Sequence, residues 1–129
     1  MTDAALEEGE IRPVVERFYA RVRADEALGP VFAAAIDDWN DHHARLTDFW
    51  SSVMLTSGRY KGNPVVLHAR HAEALTPEAF ARWLQLWGHT TDEMLPPATA
   101  KAMQAKAARI AESLQLALHY RSASRGALL

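Results

Sequence analysis

Apolar residues recur every three or four positions along most of this 129-residue chain, and no β-branched run alternates with a period of two. That spacing lines one face of an α-helix and leaves nothing from which to build a half-buried strand. The prolines, at 13, 30, 64, 77, 96 and 97, fall where helices start or stop. The pattern predicts one all-α domain over 1–129, with its core at about 11–120 and terminal extensions at 1–10 and 121–129.

The first helix is expected from Ile11 to Arg23, with Pro13 in its first turn and Val14, Val15, Phe18, Tyr19 and Val22 on its apolar stripe. Gly29-Pro30 marks short helical turns between Ala24 and Asp38. A second long helix runs from Trp39 to about Leu55, with Trp39, Leu46, Phe49, Trp50, Val53 and Met54 on one side. Thr56 to Asn63 has the composition of a loop, and Pro64 opens a short helix through His71. Thr76, Pro77 and Glu78 give the sharpest helix start, with Leu75 and Phe80 spaced as a hydrophobic staple. That helix reaches about Met94. Another carries Met103, Ala107, Ile110, Leu114 and Leu118, and Arg121 to Leu129 reads as frayed.

Composition removes several chemistries. A chain with no cysteine forms no disulfide, thiolate zinc site or iron–sulfur cluster. A net charge of −2 gives no footprint for nucleic acid or anionic lipid. The longest apolar run, Val31 to Ile36, is too short to cross a bilayer. The acidic start lacks the features of an export signal, so a soluble cytoplasmic protein is expected. Phosphate-binding loops, nucleophile elbows, His-Glu-x-x-His and the Glu-x-x-His of di-iron bundles are all absent.

What remains is the placement of polar groups on apolar faces. His42 and His43 both fit the stripe of the second long helix, and a histidine turned into a core needs a partner. Each is read either as a core-edge residue bonded to a carbonyl or as a donor inside a pocket. Tyr19 is either an amphipathic core tyrosine or a phenol aimed at a ligand. His68 and His71 are one turn apart, and imidazole is a common ligand for iron or zinc, although solvated histidines give the same spacing. Trp83 and Trp87 are ordinary core spacing. Taken together, these aromatics and histidines on four helices suit a flat apolar cofactor such as haem, which needs an axial imidazole, apolar walls and distal donors.

Phe18-Tyr19, Trp39-x-x-His42, Phe49-Trp50, Gly62-Asn63-Pro64-x-x-x-His68 and Phe80-Ala-Arg-Trp83-Leu84 resemble, in this order, the group III truncated haemoglobins. The similarity runs from about Ile11 to Leu118. It implies a shortened globin whose two pairs of helices sandwich a non-covalent haem b. The same resemblance makes His68 the proximal iron ligand, with His71 as its competitor, and makes Tyr19, His42 and Trp83 the distal residues, with His43 competing for the place of His42. Phe18, Phe32, Phe49, Trp50, Met54 and Leu67 become pocket walls, and Arg59, Tyr60 and Lys61 neighbours of the haem carboxylates.

The implied function is binding of O2 or another diatomic ligand, with O2, NO, CO, cyanide or peroxide as small ligands and an unidentified reductase as electron donor. A polar distal side suits redox chemistry, either NO dioxygenase-like detoxification or peroxidase-like reduction, better than oxygen transport. Nucleic acid and membranes are not expected partners. Two readings from other classes stay open: a cofactor-free helical interaction module, and a small histidine-based metal-binding protein.

Overall fold

A computed structural model describes residues 6–64, 68, 71 and 73–128, with backbone alone for 119–128. Five helices have both ends among the described residues: α1 Glu8–Ala24, α2 Gly29–Ala35, α3 Trp39–Leu55, α4 Pro77–Met94 and α5 Pro97–Leu128. Among the described residues there is no strand. Helix α1 packs against α2, α3 and α4, and α4 packs against α5.

The stripe of α1 does what its spacing requires. Ile11, Val14, Val15, Phe18 and Val22 are all buried, and they meet Trp50 of α3, Trp87 of α4 and Met103 and Ala107 of α5. Each large side chain fully buried in this way contributes roughly 1.5–3 kcal/mol through the apolar surface it removes from water. A second cluster, Phe80 with Ala111, Leu114 and Leu118, joins α4 to α5, and Leu75 packs on it. Leu75 and Phe80, spaced as a staple, thus share one apolar cluster. Thr76 caps α4 as its position suggested, its Oγ1 accepting from the Ala79 N–H at 3.1 Å.

Two boundaries differ from expectation. Helix α1 starts one turn earlier, at Glu8, and Pro13 sits in its interior on an exposed position. The earlier start is held by carboxylate chemistry, since the Glu7 N–H donates to Glu10 Oε1 at 2.9 Å and the Glu10 N–H to the Glu7 carbonyl at 3.0 Å. At the other end, 121–128 are not frayed, because α5 continues to Leu128. No proline interrupts that stretch, and its alanine, leucine and arginine are good helix formers.

The corner between α1 and α2 is tight for a definable reason. A Cβ on Gly29 would lie 2.8 Å from the Arg23 carbonyl oxygen, so the backbones approach as closely as only glycine allows. Asp25 organises the same corner. Its Oδ2 accepts from the N–H groups of Ala27 and Leu28 at 3.1 and 3.0 Å, while its Oδ1 accepts from Arg82 Nε of α4 at 2.8 Å. The carboxyl is 8% exposed. Burial pushes its pKa up, but the Leu28 N–H and Arg82 outweigh this and hold it below the usual carboxylate range.

Candidate functional site

The helices leave a cavity of about 370 Å³ between α1, α2, α3, the segment after α3, α4 and the middle of α5. Its lining is mainly apolar, from Phe32, Leu46, Phe49, Trp50, Phe80 and Leu114 among others, with a few polar groups set into it. That combination is typical of a small-molecule or cofactor site.

His68 enters from the segment between α3 and α4, which Pro64 opens. Both residues are helical and both line the cavity. His68 Nδ1 lies 2.6 Å from the Pro64 carbonyl oxygen. A carbonyl only accepts, so Nδ1 carries the proton and Nε2 presents its lone pair. Burial lowers the pKa of His68, while the bond to Pro64 pulls the other way, and the net direction is downward. The imidazole is therefore neutral at pH 7, the form that binds a metal. His71 also borders the cavity but is exposed, in a turn whose N–H donates to the His68 carbonyl at 2.9 Å.

Three polar side chains from three helices meet the same cavity: Tyr19 of α1, His42 of α3 and Trp83 of α4. Tyr19 is 4% exposed. Burial pushes its phenol far above the ordinary value, partly offset by the hydrogen bond it receives from the Trp83 side chain, so it remains a neutral donor. Its ring packs between Phe18 at 4.7 Å and Trp39 at 5.9 Å. His42 has its pKa pushed down to about 4, first by burial and then by the charges of His43 and Arg45. The His42 Nε2 atom is buried with no hydrogen-bond partner among the described residues. Leaving such an atom unpaired costs roughly 1–3 kcal/mol. On a cavity wall, that is the signature of a partner brought by a ligand.

His43 shares the orphaned Nε2 but does not line the cavity, so the structure separates two histidines whose spacing left them equivalent. Of the other residues singled out by sequence, Phe32, Phe49, Trp50 and Tyr60 line the cavity. Phe18 does not: it is fully buried one layer behind, edge-on to Trp83 and Trp87. Met54 packs on the core. Arg59 points to Glu8 at 3.6 Å, and Lys61 is exposed away from the lining. Leu67 lies outside the described residues.

Sequence reasoning missed Arg45, which lines the cavity three residues after His42 while pairing with Asp41 at 3.0 Å. The i, i+3 relation to a cavity histidine was the available signal. It also missed the contributions of Ile36, Leu75 and Ala79, small parts of the wall that only the tertiary arrangement brings together.

The bacterial-like globin family matches residues 6–120 of the chain. A group 3 truncated hemoglobin, ctb, of Campylobacter jejuni is 36% identical over 81 residues, which cover 60% of this chain and 63% of that protein. The match thus spans less than two-thirds of that relative's length. The crystal structure of a group III truncated hemoglobin from Campylobacter jejuni superposes with a TM-score of 0.79 at 30% identity, covering 92% of this chain and 95% of that one.

Globins imply a haem cofactor, and the residues present fit one. The cavity has aromatic and aliphatic walls, an imidazole nitrogen whose lone pair is fixed by the Pro64 carbonyl, and an unpartnered buried nitrogen on His42. The chain belongs to the bacterial-like globin family, folded as a truncated globin and similar in sequence and structure to the group III truncated haemoglobins.

Proposed function

We propose that this cavity holds haem b and that the chain binds O2 or another diatomic ligand there, for redox chemistry rather than oxygen transport. The observation that carries the reading is the His68–Pro64 bond, which fixes a neutral imidazole on a cavity that also holds Tyr19, His42 and Trp83. Haem supplies, when bound, an iron with an open position for a small ligand.

His68 Nε2 would be the donor that holds the haem iron. The pull of the Pro64 carbonyl on Nδ1–H raises the electron density at Nε2 and fixes the plane of the ring. The Tyr19 hydroxyl, which itself receives the Trp83 indole N–H, is the donor for a ligand that carries negative charge. Such a hydrogen bond is worth roughly 1.5–3 kcal/mol, or about one to two decades in affinity. His42 is neutral at pH 7 and completes the donor set through its orphaned Nε2. Phe32, Phe49 and Trp50 keep water from the ligand. Arg45, which borders the cavity, takes the haem carboxylates ahead of Arg59, which faces Glu8.

Donors held in place on a dry wall favour slow release of a charged ligand, which suits nitric oxide detoxification or peroxide reduction. Either needs electrons from a reductase. Among the described residues no helix is long and apolar enough to cross a membrane. Stopped-flow mixing of the oxygenated protein with nitric oxide, and of the ferric protein with peroxide, tests this. Rapid turnover in one of the two is expected. A protein slow in both, with fast O2 release, contradicts the redox assignment.

A further inference from the structure

The indoles of Trp83, Trp87 and Trp50 lie nearly parallel. The planes of Trp83 and Trp87 differ by 4° with centroids 6.2 Å apart, and those of Trp87 and Trp50 by 16° with centroids 4.6 Å apart. Packing alone does not demand this, since Phe18 meets Trp83 and Trp87 edge-on at 88° and 87° in the same core. Trp87 and Trp50, with the shorter separation, lie face to face closely enough to share a charge, and Trp83 is the parallel ring next to them. Trp83 and Trp50 border the cavity, whereas Trp87 does not and is 1% exposed.

The surroundings of Trp87 favour a positive charge. Its Nε1–H donates to the Met103 carbonyl oxygen at 3.4 Å. A carbonyl does not take the proton, so an indole that loses an electron here stays a cation, stabilised by that oxygen and shared with the ring of Trp50. The chain has no cysteine, which leaves indoles and phenols as the most easily oxidised side chains beside the cavity.

We propose that the Trp87–Trp50 pair is a reversible one-electron reservoir, open to the cavity through Trp83 at one end and Trp50 at the other. It empties by one electron when a hydroperoxide is reduced in the cavity, and so it rests on the haem reading above. Reduction of a hydroperoxide to an alcohol and water consumes two electrons and two protons. The protons come from solvent, one electron would be supplied by the bound haem and the other leaves the stack, and two equivalents of a one-electron reductant restore both. The vacancy settles on the Trp87–Trp50 pair until a one-electron reductant, such as ascorbate, refills it.

The test uses the haem-loaded protein, mixed with one equivalent of hydrogen peroxide, freeze-quenched and read by electron paramagnetic resonance. The expected signal is a radical that narrows when tryptophan is ring-deuterated and disappears with ascorbate. It falls at least five-fold in Trp87→Phe and in Trp50→Phe, so either variant decides if the other does not fold. A signal that narrows only with ring-deuterated tyrosine, or that keeps its amplitude in these variants, overturns the proposal. Hemin uptake, followed separately by the Soret band, tells the failures apart. A full Soret band without a tryptophan radical overturns the reservoir alone, and no Soret band overturns the haem reading with it.

Discussion

Tyr19 and His42 meet edge to face, with ring centroids 4.6 Å apart and planes at 81°. The contact joins α1 to α3 at the cavity wall and holds a phenol beside an imidazole whose buried Nε2 has no hydrogen-bond partner among the described residues. Replacing Tyr19 with Phe keeps the ring and its packing and deletes one donor. Loss of a hydrogen bond to a charged ligand is worth about 1.5–3 kcal/mol. O2 dissociation from the haem-loaded protein is expected to speed up roughly ten-fold or more, measured by stopped-flow ligand replacement. An unchanged rate removes Tyr19 from the mechanism.

His42 also gives the folded protein a pH dependence. Its pKa falls from an ordinary 6.5 to about 4 on folding, so the unfolded chain binds the proton more readily. The stability linked to His42 is complete above about pH 6.5 and is lost as pH falls towards 4. Between pH 7 and 5 the loss attributable to this residue is about 2 kcal/mol. His43 and His68, whose pKa values also move down, add to it with the same sign. Denaturant unfolding of the haem-free protein at the two pH values measures the slope. His42→Phe is expected to flatten it, and an identical slope in that variant contradicts the assignment.

Gly29→Ala introduces a Cβ 2.8 Å from the Arg23 carbonyl oxygen, a backbone atom that yields only if the corner opens. The expected cost is about 1–3 kcal/mol, seen as a drop in Tm of roughly 4 °C per kcal/mol. Because α2 carries Phe32 on the cavity wall, the same variant should also loosen hemin binding. A Tm equal to that of the parent contradicts the tight-corner account.

Asp25→Ala strips the acceptor from two backbone N–H groups and from Arg82, and a cost of roughly 1–3 kcal/mol is expected. Its pKa is lowered by folding, so the stability it provides is present above the ordinary carboxylate pKa and fades as pH falls below it. A double-mutant cycle with Arg82→Ala isolates the inter-helix bond, and a coupling energy of at least about 0.5 kcal/mol is expected. A coupling of zero means that Asp25 acts only as a local cap.

Helix positions were legible in the sequence because burial repeats with the helical period, and Val14, Phe18 and Val22 lie where that period puts them. The start of α4 was legible because Thr76 and Pro77 have single, local reasons to stand there. The start of α1 was less so, since Glu7 and Glu10 close it with carboxylates of a kind also common on exposed helix surfaces. Site residues are harder, because neighbours on a stripe share a face within about 100°. Phe18 and Tyr19 both read as inward-facing, yet only Tyr19 reaches the cavity. His42 and His43 part in the same way. Arg45 was missed because an arginine on an amphipathic helix reads as solvated, and its place at the cavity depends on how α3 is rotated against its neighbours.

The most direct test of the central claim is a hemin titration of the purified chain and of two histidine variants, followed at the Soret band and in the reduced form. The parent is expected to take up one haem per chain and to show the spectrum of ferrous iron bound to one imidazole. His68→Ala should lose that spectrum, and His71→Ala should keep it. A chain that stays colourless after hemin addition, or a His68→Ala variant whose reduced spectrum matches the parent, contradicts the account.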